Sequence, residues 1–325
     1  MKTFIDFKNM SDGDIQMIQA QLRAQAGQTT SAERLQPTME EFRVFMLERL
    51  TAIQEKLAKS HTPETIGQYA CDYDPATNPE RFLSESWSVQ APYWALVETP
   101  QTYTITMLNL LRFLEFPEDK HLSLVSLGSG PGLYETFLAR LLGKTGIGGM
   151  TTCIDFASAM TEMHRFILSL EQPPLRNIET ATSDMSSIPL PDHRTDVIIC
   201  NNSLQWCRQW KKAVAEMARI LDPDRTAMVY LIIHLHECPM GLFDRAGKCP
   251  IEMPRISAER IMDEFEKNKF TIYGSTQMRG GHGSGQMGGE VNRAMLRAKY
   301  TPQGLECRWR KAKRTFGEAH CMKWT

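Results

Sequence analysis

No stretch of this chain holds the roughly 18 to 20 consecutive apolar residues that a spanning helix needs, and Met1 to Met10, with Asp6 and Lys8 among few apolar residues, carries no export signal. Both absences make a cytoplasmic protein that does not enter a membrane the expectation. An excess of one charge is lacking too, because 37 Lys and Arg against 38 Asp and Glu leave a net charge of −1. Broad electrostatic adhesion to nucleic acid or an anionic membrane is therefore not expected. The eight cysteines, Cys71, Cys153, Cys200, Cys207, Cys238, Cys249, Cys307 and Cys321, form no C-x-x-C pair and no regular framework. That argues against a disulfide scaffold and for free thiols in a reducing compartment. The glycine-dense run Gly280 to Gly289 lacks the lysine and the spacing of a phosphate-binding loop.

What the chain does have is concentrated at Leu122 to Glu135, read L-S-L-V-S-L-G-S-G-P-G-L-Y-E. A short run rich in Leu and Val stops at Gly128, and a helix-favouring stretch, Leu133 to Leu142, follows Gly132 and ends at Gly143. That pattern is a buried strand, a tight turn and a helix start. Glycine at alternate positions lets the main chain bend sharply and keeps Cβ atoms away from a ligand lying across the strand's carboxyl end. The dinucleotide fingerprint would place its third glycine at Leu133, so an NAD site is disfavoured.

Downstream, strands alternate with helical stretches, which implies a parallel sheet with crossover helices. Met150 to Ile154 forms the second strand, with Asp155 and Phe156 at its end, where a carboxylate can meet the two hydroxyls of a ribose. The glycine turn behind it makes Asp155 the expected ribose acceptor ahead of the other role open to it and Ser158, capping the next helix, Ser158 to Leu170. Ile178 to Ala181 makes a third strand, followed directly by Ser183, Asp184 and Met185. Asp196 leads a fourth, Val197 to Cys200, which opens into the polar set Asn201, Asn202, Ser203 and Gln205 with Trp206. A helix at Trp210 to Leu221 and a fifth strand at Ala227 to Ile233 complete this block.

The spacing G-x-G-x-G at Gly128, Gly130 and Gly132 resembles the first motif of the class I S-adenosylmethionine-dependent methyltransferases. The order of features from 122 to 233 is similar to that of their small-molecule branch, including trans-aconitate and malonyl carrier-protein methyltransferases, which also end the fourth strand in a Leu-Gln-Trp type sequence. The resemblance implies an α/β fold, a doubly wound Rossmann-like seven-stranded sheet whose last strand is antiparallel, with S-adenosyl-L-methionine as cofactor. It implies a cofactor set of Gly128, Ser129, Gly130, Gly132, Asp155, Phe156, Asp184, Met185 and Asn201, in which Asp184 and Met185 meet the adenine. It also implies a substrate side that takes in Asn202, Gln205 and Trp206. Two departures stand out: Ser126 replaces the acidic residue usual two positions before the first glycine, so that contact must be weaker or replaced, and Asp224 replaces the glycine usual after Pro223.

Residues 1–115 carry helical spacing, first with Ser11 and Asp14 capping Ile15 to Leu22, then from Thr38 with Phe42, Phe45, Met46, Leu50 and Ile53 on one face. Tyr69, Tyr73, Trp87, Tyr93, Trp94 and Tyr103 gather in the second half as ordinary core or as a wall over a substrate, with Trp87, Tyr93 and Trp94 the candidate substrate contacts. The expected organisation is a helical lobe or lid (1–115), a methyltransferase domain (116–300) ending in a helix at Ser257 to Lys267 and strands at Phe270 to Gln277 and Val291 to Lys299, and a basic tail (301–325) bearing Arg308, Arg310, Lys311, Lys313 and Arg314. His234 and His236, beyond the fifth strand, could take a proton from an amine, phenol or carbon acid. With Cys238 they could also bind zinc or iron, but two-residue spacing on one strand does not close on a metal without a bend and no fourth ligand is evident, so no metal is assigned. The expected activity is methyl transfer to a small-molecule or carrier-bound acceptor by a monomer or homodimer, with nucleic acid not the expected partner. The rivals are an RNA or protein methyltransferase, which would lack the usual N-P-P-Y element, and a non-catalytic module on the same fold.

Overall fold

The structure, a computed structural model, describes residues 29–60, 77–97, 106–107, 110–111, 121–146, 149–225, 227–235, 256–281, 290–302 and 322–323. The expectations at Ile15 to Leu22, Tyr69, Tyr73, Tyr103, His236, Cys238, the 282–289 loop and the basic residues of the tail lie outside these residues.

Two long helices come first. Helix α1 (Thr29–Ser60) buries Phe42, Phe45, Met46 and Ile53 along one face, the stripe its spacing calls for. It starts at Thr29 rather than Thr38 and runs through Pro37, whose ring forfeits one backbone hydrogen bond that the downstream packing outweighs. Helix α2 (Pro79–Val97) has proline at its first position, and the Asn78 side chain accepts from the Arg81 amide.

Strand and helix then alternate: β1 (Leu124–Leu127), α3 (Leu133–Thr145), β2 (Thr151–Asp155), α4 (Ser158–Ser169), β3 (Ile178–Thr182), β4 (Val197–Asn201), α5 (Trp210–Ile220), β5 (Met228–Leu235), α6 (Ala258–Lys267), β6 (Phe270–Gly281) and β7 (Glu290–Tyr300). Helix α3 passes through Gly143, which a helix tolerates at about 1 kcal/mol, and stops instead at Gly146, where φ of 71° ends the coil. The sheet order is β3-β2-β1-β4-β5-β7-β6, and a two-residue strand β8 (Met322–Lys323) pairs parallel with β6. Strand β7 is antiparallel to both β5 and β6, as expected of the last strand. Strands β1 and β2 are buried at every position, whereas β3 at the edge is mostly exposed or half-buried.

Helices cover both faces. On one, Phe42, Phe45 and Ile53 of α1 share a core with Phe137 and Leu138 of α3, Ile167 of α4, and Val197 and Ile199 of β4. On the other, Trp210, Val214 and Met217 of α5 and Phe265 of α6 pack on Val125, Leu127, Ile198 and Leu231. Helix α1 is thus part of the sheet's own cover. Because β2 and β4 flank β1 on opposite sides, the order reverses at β1, and the crevice outside the strands' carboxyl ends opens there.

Candidate active site

The bend after β1 is held by Ile154, whose carbonyl accepts from the amides of Gly128 at 2.7 Å and Ser129 at 3.2 Å. Gly128, Gly130 and Gly132 all have positive φ, at 67°, 56° and 68°. Only one of them faces open space. A Cβ on Gly130 would find nothing nearer than the Met160 sulfur at 3.9 Å, but on Gly132 it would strike the His164 ring at 2.3 Å, and on Gly128 the Ser203 Cβ at 2.2 Å. Gly130 therefore clears the way for a ligand, while Gly128 and Gly132 make room for the protein's own side chains. His164 is fully buried and lies 3.2 Å from Thr136 Oγ1, and burial pushes its pKa down to about 4, so it is neutral at ordinary pH.

Asp155 closes the other side of the bend. Its Oδ2 accepts from the Gly130 amide and its Oδ1 from the Ala157 amide, both at 2.9 Å, so it ties the glycine bend to the start of α4. Burial raises its pKa to about 6 against the pull of these amides. Asp184 bends its own loop by accepting from the Ser186 amide at 2.7 Å, and Met185 beside it is buried.

The segment after β4 turns through Asn202, at φ 53°, into a single 3₁₀ turn, Leu204–Trp206. Ser203 donates to the Leu127 carbonyl at 2.7 Å and so locks this segment to the end of β1. Gln205 is buried with its amide nitrogen on the Asn202 carbonyl, and it does not line the cleft. Trp206 does, and it meets Trp87 of α2 edge to face with ring centroids 4.9 Å apart. Tyr93 and Trp94 lie further along α2.

A single cleft gathers most of the expected set. Gly128, Ser129, Gly130, Asp155, Phe156, Asp184, Met185, Asn201, Asn202, Trp87 and Trp206 all line about 1170 Å³ of space, part of it open to solvent. Gly132 stands behind the wall, against His164. His234 is the seventh residue of β5, in register with Arg293 of β7.

The cleft also has lining residues that spacing did not single out, chiefly Glu135, Glu80 and Arg208. Glu135 is 2% exposed and accepts from Ser126 Oγ at 2.6 Å, and burial raises its pKa to about 7, with Asp155 adding to the rise. The Ser126 departure was the signal that could have found it, since a missing carboxylate invites a search for one nearby. Glu80 and Arg208 pair at 2.8 Å. Ser129 Oγ, Glu135 Oε2, Asn201 Oδ1 and Asn202 Oδ1 are buried and unpartnered among the described residues. These orphaned groups, the open face of Gly130 and the carboxylates fit a polar ligand with cationic character, as S-adenosylmethionine is. Among the described residues no cluster of His, Cys, Asp or Glu is placed to hold a metal, and no helix is long and apolar enough to cross a membrane.

Residues 125–229 match the family described as a methyltransferase domain. Among solved structures, a SAM-dependent methyltransferase from Methanosarcina mazei is 15% identical with a TM-score of 0.48, over 59% of this chain and 97% of that one. A geranyl diphosphate C-methyltransferase from Streptomyces coelicolor A3(2), solved with Mg2+, geranyl diphosphate and S-adenosyl-L-homocysteine, is 11% identical with a TM-score of 0.49, over 66% of this chain and 84% of that one. The [4+2]-cyclase SpnF is 16% identical with a TM-score of 0.47, over 62% and 83% of the two chains.

Proposed function

We propose that this chain, which belongs to the class I S-adenosylmethionine-dependent methyltransferases, passes the cofactor's methyl group to a small-molecule or carrier-bound acceptor. The observation that carries the reading is the shared cleft, in which the glycine bend, the carboxylates of Asp155 and Asp184 and the indoles of Trp87 and Trp206 face one space.

In this reading Gly130 admits the cofactor's close approach, Asp155 takes the ribose hydroxyls with its remaining lone pairs, and Asp184 and Met185 take the adenine. The bound sulfonium supplies a methyl group already activated for in-line displacement. What remains for the protein is alignment and exclusion of water, and alignment alone can be worth roughly 7 to 11 kcal/mol. Leu83, Trp87, Met160 and Trp206 give the cleft an apolar side suited to that task. Because Glu80, Leu83 and Trp87 come from α2, this helix of the N-terminal segment is read as the lid over the acceptor. Where an acceptor must lose a proton, His234 at the end of β5 is the base we favour.

Charge supports a small acceptor over RNA. The described lining holds Glu80, Glu135, Asp155 and Asp184 against Arg208 alone, a surface that repels phosphate. The test is titration calorimetry with S-adenosyl-L-methionine, followed by mass-spectrometric detection of S-adenosylhomocysteine formed with a panel of carboxylates, amines, phenols and carrier thioesters. Saturable binding and turnover on a panel member is the expected result. Absence of binding at high protein concentration rejects the enzyme, and turnover only on RNA rejects the acceptor class.

A further inference from the structure

The acidic residue expected on β1 is missing, since Ser126 occupies that position. The structure brings a carboxylate to the same spot from another element. Glu135, in the first turn of α3, reaches back so that its Oε1 accepts from the buried Ser126 hydroxyl at 2.6 Å. Its Oε2 is buried and has no hydrogen-bond partner among the described residues, and no described Lys or Arg pairs with it. Asp155 in the same cleft is different, because both its oxygens already hold main-chain amides.

A carboxylate taken out of water with one oxygen unmet carries a desolvation cost that a charged N–H donor offsets best. The cofactor of the proposed reaction has one such group. Its sulfonium has charge but no N–H, its adenine amino group has N–H but no charge, and only the α-ammonium of its amino-acid end has both. We propose that Glu135 receives this ammonium through Oε2, in place of the absent strand carboxylate, with Ser126 as the positioning residue that orients it. The inference rests on the methyltransferase reading above.

The test compares two ligands by titration calorimetry at pH 8. S-adenosylhomocysteine carries the ammonium, and 5′-methylthioadenosine has the same nucleoside without the amino-acid end. In Glu135→Gln, which keeps the side chain's shape and its bond to Ser126, S-adenosylhomocysteine is expected to bind about ten- to a hundredfold more weakly, the range for losing a hydrogen bond to a charged group. The affinity for 5′-methylthioadenosine is expected to hold. Adding Ser126→Asp to Glu135→Gln, which returns a carboxylate to the strand, is expected to recover part of the loss, and a double variant that stays as weak overturns the shared location. Ligand-free Glu135→Gln is expected to melt no lower than wild type, because an amide there removes a buried charge. Wild-type affinity for S-adenosylhomocysteine in Glu135→Gln overturns the assignment, as does an equal loss for both ligands, which marks a purely structural role. If wild type binds neither ligand, the methyltransferase reading falls first and Glu135's role with it, a result distinct from the other two.

Discussion

Two regions of this molecule bury a glutamate to the same depth and treat it in opposite ways. At the corner where α1, α3 and the end of α4 meet, Glu171 accepts from Arg49 Nη2 at 2.6 Å through Oε1 and lies 2.8 Å from Arg140 Nε through Oε2. In the cleft, Glu135 has one serine hydroxyl and an oxygen left over. Each is 2% exposed. Where the protein needs only a brace, it brings the counter-charges itself and binds α1 to the sheet. Where it needs a site, it leaves the charge for a ligand to complete, at a cost to its own stability.

Removing a partner from the first region should do the most damage. Glu171→Ala strands the buried Arg49 guanidinium, and breaking such a pair costs about 3 to 5 kcal/mol. Urea unfolding is expected to show a loss of that size, with S-adenosylhomocysteine affinity of the folded protein unchanged. If the loss stays under about 1 kcal/mol, as for a surface pair, the corner is not a brace and the contrast fails.

The second region should respond to pH. Glu135 is raised from 4.5 to about 7 by burial, so the folded state holds this proton more tightly than the unfolded chain does. The stability it contributes is present below pH 4.5 and lost as pH rises through 7, and a shift of this size corresponds to about 3 kcal/mol. Asp155, raised to about 6, acts in the same direction, and burial raises the pKa of the Cys153 thiol, with the charge of Glu135 adding to the rise. His164, lowered from 6.5 to about 4, works against them, since its stability is lost as pH falls through that window. The wild-type curve alone therefore mixes signs. The difference between Glu135→Gln and wild type separates them: it should be near zero below pH 4.5 and grow in favour of the variant until about pH 7. A flat difference would show that Glu135 is not strained in its site.

Much of the cleft could be read from spacing. The strand, bend and helix at 122–142, the acids at the ends of β2 and β3 and the polar set after β4 all depend on neighbours within a few residues, and those are what periodicity reports. The glycine rule read the bend correctly but not its causes, because His164 and Ser203 sit 32 and 75 residues away from the glycines they press on. Glu135 was nearer to hand, because the Ser126 departure pointed to a missing carboxylate, but the fold was needed to show that a helix residue stands where the strand residue is missing. The helix limits moved for a related reason, since the start expected at Thr38 and the stop expected at Gly143 are overridden by packing along α1 and α3.

That distinction among the glycines can be measured, with a smaller effect. Gly132→Ala meets both the left-handed backbone penalty, about 1 to 2 kcal/mol, and the buried His164 ring, which adds the roughly 1 to 3 kcal/mol of overpacking. Gly130→Ala meets the backbone penalty alone. Chemical denaturation should rank Gly132→Ala as the less stable of the two, while calorimetry should find the greater loss of S-adenosylhomocysteine affinity per folded molecule in Gly130→Ala. The reverse ranking would mean that Gly132, not Gly130, faces the ligand.

The smallest effect tests whether burial, rather than pairing, makes the corner strong. Glu80 on α2 and Arg208 after the 3₁₀ turn join at 2.8 Å across the cleft mouth, a separation like those around Glu171, but their side chains are 53% and 35% exposed. Water and salt screen such a pair, so Glu80→Gln should change unfolding stability by no more than about 0.2 to 1 kcal/mol. Its consequence belongs to the mouth, because the pair ties α2 to the segment that carries Trp206. Faster release of S-adenosylhomocysteine in stopped-flow tryptophan fluorescence is expected, and wild type in high salt should approach the variant's rate. An unchanged release rate would leave Trp87 and Trp206 as the contact that holds the two sides together.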